Sequence, residues 1–140
     1  MPFIKVWLHM VWTTKNRNAF LKRTVRPTVF KHILDNAQAK GIFVDSIGGG
    51  QEHVHLLISL GARQTIAEIA QLLKGEASFW INKEKLIQGM FKWQDEYYAA
   101  SVGEDDLERV RQYIQNQDEH HRKKTFAEEY QKYVTARVAV

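Results

Sequence analysis

The sequence predicts an α+β fold, a four-stranded antiparallel sheet with two helices packed on it and a third helix toward the C-terminus. Three observations predict it. Apolar and polar side chains alternate every second residue along residues 3–13 and again between 42 and 60. Apolar side chains recur at helical spacing along 27–40, 65–85 and from 104 onward. Proline and glycine stand where such segments should start and stop.

The elements follow in order. Ile4, Val6, Leu8, Met10 and Trp12 form one face of a first strand, with Lys5, Trp7 and His9 on the other. Thr13 to Arg23 reads as a basic polar loop. Pro27 suits the first turn of a helix in which Val29, Ile33 and Ala37 recur, and Gly41 suits its end. Ile42 to Ile47 is a second strand, Gly48-Gly49-Gly50 a turn, and His53 to Leu60 a third strand, which together make a hairpin. Thr65 to about Lys85 is helical, with Gly75 an unfavourable interior residue that marks a break or a close backbone approach. Trp93 to Val102 is a fourth strand whose alternation Tyr97-Tyr98 interrupts. Glu104-Asp105-Asp106 opens a last long helix, about 104–123, and its far end carries His120-His121-Arg122-Lys123-Lys124, the sign the helix dipole favours at each end. A short amphipathic helix, Phe126 to Val134, closes the chain. The order βαββαβ gives a ferredoxin-like or RRM-like platform with one sheet face covered by helices and the other open.

The 140 residues suit one domain over 1–140, and 44% hydrophobic residues suffice for a core. The absence of cysteine excludes disulfides and thiolate metal sites and fits a cytoplasmic protein. No apolar run approaches the roughly 20 residues of a membrane span, and the N-terminus does not read as a signal peptide. The net charge of +4 is unevenly spread. Lys5, Lys15, Arg17, Lys22, Arg23, Arg26, Lys31 and Lys40 face only Asp35 in the first forty residues. Such a basic segment suits a polyanion, nucleic acid first, and equally a solvated surface.

The third strand carries the sharpest signal. His53, His55, Leu57 and Ser59 share one face, and Val54, Leu56, Ile58 and Leu60 share the core face. Two imidazoles side by side can be structural, or can grip one metal ion. On the last helix Leu107, Val110 and Ile114 form an apolar stripe, with Tyr113 and Gln117 one turn apart at its edge. Two imidazoles and an amide oxygen make a hard, incomplete coordination sphere that suits Mg²⁺ or Mn²⁺ with positions left for phosphate and water. A tyrosine there can attack a phosphodiester as a covalent nucleophile.

The blocks His53–Ile58, Leu72–Lys83, Phe91–Tyr97 and Tyr113–Tyr130 resemble the single-tyrosine HUH transposases, small enzymes of insertion sequences that move as single-stranded DNA. The likeness runs from about residue 5 to 134. It implies His53, His55 and Gln117 as metal ligands, Tyr113 as nucleophile, and Lys15 and Arg17 as basic residues near the DNA. It further implies hairpin-bearing single-stranded DNA ends as substrate and a 5′-phosphotyrosine intermediate with a free 3′-hydroxyl. The partner it implies is a second copy, in a homodimer whose sheets join edge to edge and whose tyrosine helices can serve either subunit. Gly48-Gly49-Gly50 stands where the family often has a proline and an acidic residue, Asn16 where an aromatic is common, and Tyr98 and Ala100 where glycine and phenylalanine are usual.

The function expected is therefore a metal-dependent transposase that nicks and rejoins single-stranded DNA. Two other readings stay open. One is a catalytically inactive or domesticated single-stranded nucleic-acid-binding protein, for which Trp7 on the open face would stack bases. The other is a metallohydrolase whose nucleophile is water.

Overall fold

The computed structural model describes residues 2–117. Its elements are β1 (Trp7–Thr13), α1 (Arg26–Ala39), β2 (Phe43–Gly49), β3 (His53–Ser59), α2 (Ile66–Lys83), β4 (Tyr98–Val102) and α3 (Leu107–Gln115). Single 3₁₀ turns at Lys15–Arg17 and Glu104–Asp106 follow β1 and precede α3. The sheet runs β2-β3-β1-β4 with every pairing antiparallel. That order and the βαββαβ path are those of a ferredoxin-like sheet.

One face holds the core. Leu8, Met10 and Trp12 of β1 and Val54, Leu56 and Ile58 of β3 meet Val29, Ile33 and Ala37 of α1 and Ile69, Leu73, Ala77 and Ile81 of α2. The strand contributors are two residues apart and the helix contributors three or four, as the sequence periods require. Thr65 caps α2 by accepting the Glu68 N–H. Gly75 sits in an unbroken α2 with nothing near its Cβ position, so it marks neither a break nor a close approach. Gly41 follows α1 with φ +71°, the left-handed turn that ends it.

Four further expectations are corrected. β1 starts at Trp7, not residue 3, because Trp7 already pairs with Ser59 and Val102, the last residues of its two neighbours. Ile4 and Val6 are consequently exposed. Gly48 and Gly49 are strand residues, paired with His55 and Val54, and not part of the turn. β4 starts at Tyr98: the stretch before it turns onto α2, where Lys74 Nζ donates to the carbonyls of Gln94 (2.7 Å) and Asp95 (3.0 Å). The second sheet face is not open along its whole length, because α3 lies against β2 and β3 there with Ile114 fully buried. The expected end of the last helix at about residue 123, the basic run 120–124 and the helix 126–134 lie outside the described residues.

Leu56, central in β3 and fully buried, tests the core. Leu56→Ala should lower unfolding free energy by about 2–5 kcal/mol, read as a lower urea midpoint at unchanged slope.

Candidate active site

Strand pairing assembles the site. His55 pairs with Val11, and His9 lies two residues along β1 on the same face. Diagonal neighbours of this kind are within reach of long side chains. His9 Nε2 stands 2.8 Å from His55 Nδ1, with the rings stacked at 5.1 Å between centroids. The His53 ring lies 4.9 Å from that of His55, nearly perpendicular to it. His9, His53 and His55 are all buried.

Burial pushes the His9 pKa down to about 4, so this imidazole is neutral at pH 7. A neutral ring has one donor and one acceptor nitrogen. With Nδ1 of His55 engaged by His9, Nε2 is the nitrogen His55 can offer a cation. Coordination through Nε2 puts the proton on His55 Nδ1, which then donates to His9 Nε2. A metal-ligating histidine is usually oriented by a partner on its second nitrogen in this way.

α3 supplies the rest. The Tyr113 ring lies 5.5 Å from His55 and 6.0 Å from His9, edge-on to both. One turn on, Gln117 is buried, and its Oε1 lies 3.2 Å from His53 Nε2, accepting a hydrogen bond in the tautomer that protonates this nitrogen. The Gln117 amide nitrogen donates to the Tyr113 carbonyl at 2.9 Å, which turns Oε1 toward His53. The structure thus brings together His53, His55, Tyr113 and Gln117 within a single chain.

Two local features seat the helix. A Cβ on Gly48 would stand 2.1 Å from the Ile114 carbonyl oxygen, so only glycine lets the α3 backbone approach β2 this closely. A β-bulge between Val44 and Ser46 leaves Asp45 out of register and aims it at α3. There Arg111 donates from Nε (2.8 Å) and Nη2 (3.0 Å) to the two carboxylate oxygens. The hydrogen bond from Arg111 holds the Asp45 carboxyl below its ordinary pKa. Gly50 does a similar service for His53, whose Cε1 would lie 2.9 Å from a Cβ there.

The donor set fits a hard divalent ion. Two neighbouring octahedral ligands about 2.1 Å from Mg²⁺ stand about 3.0 Å apart, close to the 3.2 Å between His53 Nε2 and Gln117 Oε1. Among the described residues no three His, Cys, Asp or Glu side chains form a metal-binding group, so two imidazoles and an amide are what these residues offer. Lys15 and Arg17 occupy the 3₁₀ turn after β1. Arg17 lines a cavity together with Asn16, Tyr98 and Val11, the strand partner of His55.

The sequence reading singled out the four residues but gave His9 no role. Its alternation with Trp7 placed it on the correct face. Only the β1–β3 register reveals that it meets His55.

A family model described as IS200-like transposase matches residues 3–117. The chain belongs to this family. IS200-like transposases act on DNA by strand transfer, and this chain has their fold and blocks. It is 29% identical over 115 residues to the ISDra2 transposase TnpA of Deinococcus radiodurans, covering 78% of this chain and 81% of that one. A crystal structure from Deinococcus radiodurans R1, of a protein assigned as a transposase, superposes with a TM-score of 0.67 at 26% identity, over 83% of this chain and 93% of that one. The structure of a REP-associated tyrosine transposase bound to a REP hairpin shares the fold at TM-score 0.65 and 14% identity, over 86% of this chain and 72% of that one.

Three outcomes test how this IS200-like transposase seats α3. Gly48→Ala should displace the helix, shifting NMR signals of Tyr113 and Ile114 while β1 and β3 signals hold; unchanged α3 signals would refute the close approach. Because the folded pKa of Asp45 is lowered from 3.8, its contribution to docking is complete above that pH and is lost as pH falls through the lower folded value. Amide exchange in α3 should therefore accelerate at strongly acid pH, and Asp45→Asn should show faster exchange at neutral pH as well.

Proposed function

We propose that this chain cuts and rejoins single-stranded DNA at hairpin-bearing ends, with Tyr113 as the covalent nucleophile. The observation that carries the reading is the placement of the Tyr113 ring 5.5 Å from His55, with Gln117 of the same helix on His53. A phenol is a weak nucleophile at neutral pH, its pKa being about 10, so it needs an activated phosphate beside it.

His53 Nε2, His55 Nε2 and Gln117 Oε1 would hold Mg²⁺ or Mn²⁺, which when bound supplies Lewis-acid polarisation of the scissile phosphate. Tyr113 Oη attacks phosphorus as its proton passes to water. An O–P bond to tyrosine forms, the P–O3′ bond breaks, and the 3′-oxygen takes up a proton. The product is a 5′-phosphotyrosine and a free 3′-hydroxyl. A 3′-hydroxyl from another end reverses the chemistry and rejoins the strand without ATP. His9 keeps the His55 ring in the orientation the site needs. Lys15 and Arg17 would contact the backbone phosphates. The structure of a relative bound to a REP hairpin supports hairpin ends as the substrate class. β4, an outer strand of the sheet, offers an edge for a homodimer in which two sheets become continuous. No helix among the described residues is long and apolar enough to cross a membrane, and a cytoplasmic location goes with access to DNA.

The non-catalytic reading has one observation in its favour. Trp7 and Phe43 meet edge-on at 6.2 Å at the far end of the same sheet face, with Phe43 exposed. Such a pair can stack bases without any cutting.

The adduct assay separates the readings. Single-stranded oligonucleotides from both flanks of the coding sequence are incubated with protein and Mg²⁺ or Mn²⁺ and run on denaturing gels. Wild type should give a covalent protein–DNA band that chelator and Tyr113→Phe abolish and that His53→Ala reduces by about a hundredfold or more. Salt-sensitive binding with no band would favour the inactive form. Cutting that survives Tyr113→Phe without a band would favour water as nucleophile.

A further inference from the structure

We propose that the cavity between the 15–17 turn and the 94–98 segment is a subsite for one unpaired nucleotide of the DNA strand. The inference rests on the reading above that single-stranded DNA is cut at the site formed by His53, His55 and Tyr113.

Position is the first argument. The cavity, about 420 Å³, is walled on one side by Val11. Val11 pairs with His55 on β3 and with Tyr98 on β4. Adjacent strands are about 4.8 Å apart, so the cavity begins one strand from the candidate metal site. The nucleotide adjoining a phosphate at His53 and His55 can reach it.

Size and chemistry agree. The volume falls within the roughly 300–1,000 Å³ of small-molecule sites, enough for one nucleotide. Its lining includes Asn16, Arg17, Gln94, Glu96, Tyr97 and Tyr98. Flat rings, two carboxamides, a guanidinium and a carboxylate are the groups that recognise an unpaired base by stacking and along its polar edge.

The walls are also built in advance. Lys74, rooted in α2, ties the Gln94 and Asp95 carbonyls at 2.7 and 3.0 Å, and its ammonium lies 5.9 Å from the Tyr97 ring centre. The Trp93 indole N–H donates to the Lys74 carbonyl at 3.1 Å. Across the cavity, Asn16 N–H donates to Gln94 Oε1 at 3.3 Å, and Lys15 N–H donates to the Lys92 carbonyl at 2.9 Å. Asn16 and Arg17 hold φ of 56° and 54°. Residues with side chains adopt that left-handed region at a cost, and ligand clamps are a recurring place to find it. Burial lowers the pKa of Lys74, while the carbonyls and the ring act the other way by favouring the ammonium.

The test uses the full chain in EDTA, with NMR detection of backbone and carboxamide N–H signals. The probes are the four deoxynucleoside 5′-monophosphates, with inorganic phosphate as control. At least one nucleotide should give saturable shifts at Asn16, Arg17, Gln94 and Tyr97, and phosphate should not. Gln94→Ala and Tyr97→Leu should each weaken that binding roughly fivefold or more. Gln94→Glu, which keeps the acceptor for the Asn16 N–H but removes the amide donor, guards against a loop that merely loosens and should weaken binding as well. Absence of shifts with all four nucleotides, the same shifts with phosphate, or undiminished binding by the variants would overturn the proposal. Because no cation or Tyr113 chemistry enters the measurement, a failed adduct assay and a failed titration are distinguishable results.

Discussion

The contact on which the site depends is the seating of α3 against the β2–β3 hairpin. An α-helix normally meets a sheet through a layer of side chains. At Gly48 that layer is missing, and a helix carbonyl comes to where a Cβ would be. The approach is close enough for Gln117 to touch His53 and for Tyr113 to lie beside His55. Asp45, displaced by the bulge, then fixes which face of α3 points inward by gripping Arg111 with both oxygens. A planar bidentate pair resists rotation better than a point charge does. One missing side chain sets the distance, and one ion pair sets the angle.

The histidine cluster shows how burial selects protonation states. Three imidazoles in one buried patch could not all carry charge, since each would lose its hydration and repel the others. His9 bears the clearest consequence, a pKa near 4. Its neutrality is useful. A protonated His9 would have donors on both nitrogens and could not accept the proton on His55 Nδ1. Burying His9 thus keeps it able to accept from His55 Nδ1.

Much of this was legible in the sequence, because sheet and helix periods are local properties. The alternation His53-Val54-His55-Leu56 places the imidazoles opposite the core, and the four-residue step from Tyr113 to Gln117 places the phenol and the amide one turn apart. What stayed hidden depends on register and on contacts between distant segments. His9 acquires its role from a pairing forty-six residues away in sequence. Gly48 reads as part of a glycine turn until the backbone of α3 is known to lie on it. The start of β4 is decided by Lys74 of α2, which takes the carbonyls of Gln94 and Asp95 and diverts a stretch whose composition suits a strand. Periodicity puts each of these groups on its face, and the resemblance adds the expectation that the two histidines and the tyrosine serve one site.

The division of forces across the sheet has a functional consequence. α1 and α2 are bound by a continuous apolar core, whose burial is worth tens of calories per mole for each square ångström. Within its described helical span α3 buries one side chain fully, Ile114, and adds an ion pair with both partners partly exposed. Elements with few buried apolar contacts are those that open at low free-energy cost. The helix carrying the proposed nucleophile thus rests on fewer fully buried apolar side chains than α1 and α2, whereas the imidazoles it faces sit on β1 and β3, the two central strands of the sheet. A phosphotyrosine linked to DNA is bulkier and more highly charged than the phenol it replaces. An attachment of this kind would let the helix adjust around the proposed product without disturbing the histidines.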